Sequence, residues 1–217
     1  MHNDQMDYLG VVLLVAVVAA AFVVIARRSV GQGRRVRVEQ ARQLSLAKRA
    51  AEADVNGFGD EVARLSFLAE ADPVADDLYD LLAALHARAL EALAEAGQPD
   101  DLCQVTELLE EGRWTAARLA ARAAGLPMPT RRPPCFFNPG HGPSTRNIIW
   151  QHRNVPACAA DAGRIESGAD PYIRTVERDD RRVPYWEGGP THAGWARGYY
   201  SSWRGSRLVA DIVTSKV

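Results

Sequence analysis

The stretch CFFNPGHGPSTRNIIWQHRNVPACAADAGRIE, residues 135–166, decides the fold of the C-terminal part of the chain. Its first residues place Cys135 and His141 in a loop rich in Pro and Gly, which favours turns over regular structure. Residues 147–150 then predict a strand, and residues 155–156 can pair back against it. The sequence therefore predicts a loop followed by a β-hairpin.

Four side chains of this stretch are candidate metal ligands. Cys158 opens a short predicted helix, and Asp161 lies three residues later on the same helical face. Loop, β-hairpin and helix in this order are the plan of a treble-clef zinc module. Tetrahedral zinc accepts two thiolates, an imidazole nitrogen and a carboxylate oxygen. We therefore expect a metal site, with Zn²⁺ as the candidate cofactor, formed by Cys135, His141, Cys158 and Asp161; His152 is the alternative to His141.

The same residues allow two other interpretations. In a module without metal, Cys135 and Cys158 would be small buried hydrophobic residues, and Asp161 would favour a helix N-terminus. In a thiol-dependent enzyme, Cys135 would be the nucleophile, His141 or His152 the base, and Asp161 the group that orients the base. No protease or hydrolase signature surrounds Cys135, so we expect no catalytic residues and no enzymatic activity.

Upstream, Asn56-Gly57-Phe58-Gly59 predicts a break or kink after the juxtamembrane helix. Residues 57–125 are acidic and predict a helical hairpin or bundle, with Gly125 suited to the C′ position of its last helix. Asp72 suits an N-cap, with Pro73 in the first helical position, and Gly97 and Pro99 end the first helix. A second helix is expected to run to Ala124. Its short connection to the first makes the pair antiparallel. The predicted apolar stripes are Leu78, Leu81, Leu82, Leu85, Ala89, Leu93 and Ala96 on the first helix, and Leu102, Val105, Leu108, Leu109, Trp114, Ala117 and Ala121 on the second.

These stripes have two interpretations. Packing of the helices against each other is the favoured one, and a spacer or partner-binding coiled coil is the alternative. We expect a protein partner or self-association through this helical region. No Gly-rich phosphate loop follows a strand anywhere, so nucleotide binding has no support.

The N-terminal part contains an uninterrupted apolar run at residues 8–26. As a helix it would be about 28 Å long, which matches the hydrocarbon thickness of a bilayer. Residues 27–49 follow with eight basic residues against one acidic residue, Glu39. The positive-inside rule then predicts a single-pass inner-membrane protein with its N-terminus outside and residues 27–217 in the cytoplasm. A cleavable signal peptide is less favoured, because the residues before the run are acidic.

Charge and cysteine usage agree with this topology. The formal net charge is −1, but basic and acidic residues are segregated along the chain. The chain has three cysteines, an odd number that predicts free thiols or metal ligands in a reducing compartment. The bilayer is the first expected partner, and nucleic acid is not an expected one.

The C-terminal part is basic and aromatic. Residues 172–177 and 181–186 predict a second β-hairpin, whose arginines could contact phosphate with Tyr185 and Trp186 available for stacking. A solvated sheet edge with hydrophobic anchors is the favoured interpretation. Residues 191–217 form an aromatic and Arg-rich tail, expected to be flexible or to rest on a membrane surface.

Four segments carry a resemblance to a known family: DDLCQVTELLEEGR, RRPPCFFNPGHGPS, VPACAADAGRIESG and RRVPYWEGGP. They resemble a family of uncharacterised actinobacterial single-pass membrane proteins, and the likeness covers roughly residues 100–190. The resemblance implies an N-terminal span, a helical middle section and a Cys/Pro/Trp-rich C-terminal module. It implies no activity. The connection between Trp150 and Val155 is shorter here, and the tail has fewer glycines.

Together these features predict a mostly α fold with a small α+β C-terminal module. The expected function is a non-enzymatic, membrane-tethered interaction or scaffold protein; a nucleic-acid or anionic-lipid-surface binder and a thiol-dependent enzyme are the alternatives. The predicted sections are a short extracytoplasmic N-terminus (1–7), the transmembrane helix (8–26), a basic juxtamembrane helix (27–56), the helical hairpin (57–125), a Pro/Arg linker (126–134), the Cys-bearing module (135–190) and the tail (191–217).

Overall fold

The structure is a computed structural model that describes the backbone of residues 3–203 and the side chains of residues 32–203. It is mostly helical, with two small β-hairpins towards the C-terminus, as the sequence predicted. The chain forms two compact units, Met1–Arg42 and Gln43–Val217. The metal-site candidates and the helical hairpin belong to the second unit.

Three long helices make up most of residues 3–123. Helix α1 spans Asn3–Leu65, α2 spans Pro73–Glu95 and α3 spans Leu102–Ala123. Short 3₁₀ turns at Ser66–Ala71 and Pro99–Asp101 connect them. The predicted membrane span at residues 8–26 lies outside the residues whose side chains are described. Among the described residues, no helix combines the length and the apolar character needed to cross a membrane.

The predicted break at residues 56–59 is wrong, because α1 continues through it. Gly59 serves packing instead. A Cβ on Gly59 would lie 2.8 Å from the imidazole ring of His86 on α2. Gly112 of α3 similarly faces the ring of Phe58, which is fully buried. Small residues at these positions let α1 approach the other two helices closely.

Helices α2 and α3 form the predicted antiparallel hairpin. Asp72 caps α2 by accepting the backbone N–H groups of Val74 at 2.8 Å and Ala75 at 3.1 Å. Gly125 follows α3 with a φ of 65°, which suits the residue after a helix C-cap. Most of the two predicted stripes is buried, but Leu81 is 43 % exposed. The predicted stripe on α3 omitted Ala116 and Leu119, which are also buried.

The C-terminal module follows the predicted order of loop, hairpin and helix. Strands β1 (Arg146–Trp150) and β2 (Arg153–Ala157) pair antiparallel, and helix α4 (Ala159–Glu166) follows them. A second antiparallel hairpin contains β3 (Thr175–Arg178) and β4 (Arg181–Pro184). Both hairpins turn through two residues with positive φ, which is the signature of a type I′ turn.

The expectation of a flexible or membrane-bound tail from residue 191 is wrong for the described residues up to Trp203. Helix α5 spans Pro190–Gly198, and Trp195, Tyr199 and Tyr200 are fully buried. Gly194 faces the backbone of the 3₁₀ turn Pro99–Asp101, and Gly198 faces the start of α3, where an added Cβ would collide with Thr106. These two glycines therefore let α5 pack closely on α3 and on the turn before it. Residues 204–217 lie outside the described part of the chain.

A buried polar cluster connects α1 with the C-terminal module. Asp54 on α1 accepts hydrogen bonds from Nε1 of Trp195 at 3.0 Å and from the hydroxyl of Tyr199 at 2.9 Å. Its other carboxylate oxygen lies 2.7 Å from the guanidinium group of Arg174. Burial raises the pKa of Asp54, although Arg174 opposes the shift. The module is therefore packed on the helices through one continuous core.

Candidate metal centre

The loop that contains Cys135 and His141 is closed by its own hydrogen bonds. The side chain of Asn138 accepts the N–H of Gly140 at 2.9 Å, and the N–H of Cys135 donates to the carbonyl of Gly142 at 3.0 Å. Gly142 has a φ of 79°, a conformation that glycine adopts without strain. This turn brings the side chains of Cys135 and His141 to the same side of the loop.

The other two candidates lie at the start of α4. Cys158 is the N-cap residue, and its sulfur accepts the backbone N–H of Asp161 at 3.4 Å. Asp161 is fully buried in the first turn. Its Oδ1 accepts the backbone N–H of Tyr172 at 2.9 Å, which fixes the carboxylate orientation. The second oxygen, Oδ2, consequently faces Cys135 and His141.

The structure brings all four predicted ligands together, and one potential ligand atom from each lies within 4.8 Å of the others. Oδ2 of Asp161 is 2.9 Å from Nδ1 of His141 and 3.3 Å from Sγ of Cys135. Sγ of Cys158 is 3.4 Å from Oδ2 and 3.6 Å from Nδ1. Zinc–ligand bond lengths give tetrahedral edges of about 3.3 Å between N and O and about 3.8 Å between two sulfurs. The cluster could therefore hold a metal ion after small side-chain shifts.

Hydrogen bonds from the backbone support the two sulfurs. Sγ of Cys135 accepts backbone N–H groups of Asn138 and Cys158, and Sγ of Cys158 accepts that of Asp161. Such bonds stabilise thiolates and orient metal-binding cysteines. Cys135 and Asp161 are fully buried, whereas the side chain of His141 is 28 % exposed. The site is thus shielded from solvent on three sides and open at the imidazole.

The surroundings of the two thiols shift their pKa values in opposite directions. A hydrogen bond from Cys135 is the main cause that lowers the pKa of Cys158 to about 5, and His141 contributes in the same direction against the effect of burial. The same Cys135–Cys158 hydrogen bond, together with burial, raises the pKa of Cys135. In the metal-free cluster at neutral pH, one thiolate therefore accepts a hydrogen bond from one thiol.

The two remaining ligands are also matched to a cation. The contact of His141 with Cys158 raises the pKa of the imidazole. Asp161 raises this pKa further, whereas burial lowers it. Burial pushes the pKa of Asp161 upwards, but the bonds from Tyr172, Cys135 and His141 together hold it below its usual value. Positive charge at the centre of the cluster is therefore favourable.

The geometry does not support the catalytic triad considered from sequence. Cys135 is fully buried and contacts the carboxylate of Asp161, and its raised pKa opposes thiolate formation. A triad histidine uses one nitrogen for the nucleophile and the other for the acid. Here Nδ1 of His141 faces both Asp161 and Cys158. His152 lies in the exposed β1–β2 turn and is not one of the four clustered residues.

The other residues considered from sequence have structural contacts. Cys103 lies outside the cluster, with its sulfur 3.5 Å from the carboxylate of Glu107. Arg178 donates to the carbonyl of Glu187 at 2.7 Å, and Arg182 donates to Thr175 Oγ1 at 2.8 Å. Tyr185 is buried and donates to the carbonyl of Phe136 at 2.9 Å. These contacts leave Tyr185 unable to stack on an external base.

Comparison with protein-family models, with curated proteins and with solved structures gives no match. The resemblance to the actinobacterial family therefore stays a prediction. The argument for a metal rests on the geometry of this chain alone. One supporting group was missed from sequence: the backbone N–H of Tyr172 has no signature in the residue types, because any residue other than proline supplies it.

Proposed function

We propose that this chain is a non-enzymatic, membrane-tethered scaffold protein whose C-terminal module is stabilised by one Zn²⁺ ion. The ligands are Cys135, His141, Cys158 and Asp161. The observation that carries the metal proposal is the convergence of their four ligand atoms within 4.8 Å of one another. Nδ1 of His141 faces the thiolate of Cys158 and the carboxylate of Asp161 together, which suits chelation better than proton relay.

The ligand types favour zinc over the other common divalent cations. Thiolates select soft or borderline metals, whereas magnesium and calcium prefer oxygen ligands. Two sulfurs, one imidazole nitrogen and one carboxylate oxygen match a tetrahedral zinc site. The hydrogen bonds to the sulfurs and to Oδ1 of Asp161 supply the outer support that such sites require.

The number of ligands favours a structural role. Catalytic zinc sites keep one coordination position for water or substrate, whereas structural sites use four protein ligands. Here four protein atoms would fill the coordination positions of the ion, and three of the four residues are buried. The ion would join the loop after residue 134 to the first turn of α4. It would therefore stabilise the module instead of activating a substrate.

The tether belongs to the same proposal. The apolar run at residues 8–26 would cross the inner membrane, and the basic residues that follow it would stay in the cytoplasm. Those basic residues would also attract anionic lipid head groups, at about 1 kcal/mol each near the surface. A C-terminal reporter that is active only in the cytoplasm should be active on the full chain. Activity of a reporter that works only outside the cytoplasm would contradict this topology.

A scaffold requires a surface for a partner, and α2 offers apolar side chains for one. Val74 and Leu81 lie seven residues apart on one face of this helix, and each is more than 40 % exposed. They support a protein partner or self-association through the helical region. The internal contacts of Arg178 and Arg182 give no support to nucleic acid as a partner.

The test of the metal proposal is elemental analysis of the full chain, purified under reducing conditions without chelators. We expect about one zinc per chain, and a loss of most of it in Cys158→Ser. Cys103→Ser is the matched control, since Cys103 lies outside the cluster, and it should keep its zinc. Less than about 0.2 zinc per wild-type chain would contradict the proposal.

A further inference from the structure

A cleft of about 670 Å³ lies beside the metal cluster, between the end of α1, helix α3 and the loop after His141. His141 lines this cleft, so the two sites share a wall. The volume falls in the range of pockets that hold small organic ligands. The metal site does not use the other groups that line the cleft.

A buried arginine forms one wall. The side chain of Arg113 on α3 is 6 % exposed, and it lines the cleft. Among residues 32–203, neither its Nε nor its Nη1 has a hydrogen-bond partner. Glu61 forms an ion pair with Arg113, at 3.8 Å from Nε, but this distance is too long for a hydrogen bond. The guanidinium also lies over the ring of Phe58, 5.4 Å from its centroid. A buried guanidinium with unused donors normally pairs with an anion, because burial without a partner is costly.

Two more polar groups border the same cleft. Ser144 is 3 % exposed, and its hydroxyl has no hydrogen-bond partner within the described part of the chain. Arg132 donates to the side chain of Asn147 at 3.0 Å, but its buried Nε has no partner there either. Two arginines against Glu61 give this wall a positive balance. The arrangement favours an anion over a cation or a neutral polar ligand.

Most of the remaining lining is apolar. The indole of Trp114 and the side chain of Leu65 border the cleft, together with alanines of α3 and two prolines. This surface is suited to a flat hydrocarbon body, and inorganic phosphate would leave it in contact with water. The ligand class is therefore defined by two features: one negative charge for Arg113, and an apolar body about the size of a ring system for Trp114.

We infer that this cleft binds a compact organic carboxylate, with Arg113 as the charge partner and the Trp114 side as the apolar contact. The inference does not depend on the metal proposal, because none of the four metal ligands supplies the charge. It would give the protein a small-molecule site next to its zinc module. A soluble aromatic acid and a lipid-derived fatty acid both present a carboxylate, and the flat indole of Trp114 in the lining favours the former.

The test compares naphthoate with naphthamide, which has nearly the same shape and no charge. Calorimetry on the full chain in lipid nanodiscs should show saturable one-site binding of naphthoate, and at least about tenfold weaker binding of naphthamide. Arg113→Gln should weaken naphthoate binding by at least about tenfold. Arg118→Gln, on the same helix and outside the cleft, is the matched control and should change nothing.

A second variant covers the case in which Arg113→Gln does not fold. Ala117→Phe fills the cleft without removing a charge, and it should abolish naphthoate binding. Absence of saturable naphthoate binding to the wild type would overturn the inference. Equal affinity for naphthoate and naphthamide, or unchanged affinity in Ala117→Phe, would overturn it as well. Displacement of naphthoate by palmitate would identify a lipid-derived ligand and contradict the compact-ligand assignment.

Discussion

The indole nitrogen of Trp195 donates a hydrogen bond of 3.0 Å to Oδ2 of Asp54, across 141 positions of sequence. This bond joins the second unit's part of α1 to α5, and Tyr199 donates to the same oxygen at 2.9 Å. Arg174 completes the cluster from the segment before β3. The helices and the C-terminal module therefore share one buried ionic centre, in addition to their apolar contacts.

Replacing Asp54 by Ala should destabilise the fold strongly. The substitution would leave Arg174 without its carboxylate and would remove the acceptor of two buried donors. Breaking a buried ion pair on one side costs about 3 to 5 kcal/mol. Urea denaturation followed by tryptophan fluorescence measures this change. Asp77→Ala on the exposed face of α2 is the control, expected within about 0.5 kcal/mol of wild type. A loss below about 1 kcal/mol in Asp54→Ala would contradict the account.

Two glycine substitutions should change stability in opposite directions. A Cβ at Gly112 would collide with the buried ring of Phe58, so Gly112→Ala should cost about 1 to 3 kcal/mol. Gly57 is exposed in α1 with no atom within 4 Å of an added Cβ. Gly57→Ala should therefore stabilise the helix by up to about 1 kcal/mol. Equal effects of the two variants in thermal denaturation would show that α1 does not pack on α3 as described.

The metal-free protein should contain one thiolate at neutral pH. The pKa of Cys158 is lowered to about 5, so its deprotonation should raise the absorbance at the thiolate wavelength as the pH increases through that value. Burial raises the pKa of Cys103, and the pKa of Cys135 is raised as well, so neither thiol contributes to the absorbance change near pH 5. Cys158→Ser should abolish the transition, and Cys103→Ser should retain it. If the first thiol deprotonates only at pH 8 or above, the prediction is contradicted.

Metal removal should loosen the core as well as the loop. The hydroxyl of Tyr200 donates to the carbonyl of Cys135 at 3.2 Å and lies 3.0 Å from the hydroxyl of Tyr185. Loss of the ion would free Cys135 and thereby weaken this connection to α5. Hydrogen exchange after chelation should therefore accelerate at residues 135–142 and also at α5. Acceleration confined to the loop would show that the ion does not support the core.

The sequence predicted the module well because its signals are local. Gly and Pro marked the loop before His141, β-branched and aromatic residues marked β1, and the three-residue spacing placed Cys158 and Asp161 on one helical face. The helical hairpin was predicted for the same reason, from Asp72 and Gly125 at its two ends and from the apolar stripes between them. Each of these features depends on neighbours within one turn or one hairpin.

The predictions were wrong where a residue contacts a part of the chain that is far away in sequence. Gly57 and Gly59 suggested a break, because the close approach of α2 that Gly59 allows is not visible in α1 itself. Trp195 and Tyr199 looked like residues of an exposed tail, since their acceptor, Asp54, lies far away in sequence. The burial of Arg113, with two donors that have no hydrogen bond among the described residues, was likewise undetectable, because an arginine in an amphipathic helix usually faces solvent.

The claim that Cys135, His141, Cys158 and Asp161 form a tetrahedral site is tested most directly by cobalt titration of the reduced, metal-free full chain. We expect saturation at one Co²⁺ per chain, intense visible bands of tetrahedral cobalt, a thiolate charge-transfer band in the near ultraviolet, and displacement by Zn²⁺. Cys103→Ser should give the same spectrum, and Asp161→Ala should alter it. A weak octahedral spectrum without a thiolate band, or no saturation, would contradict the account.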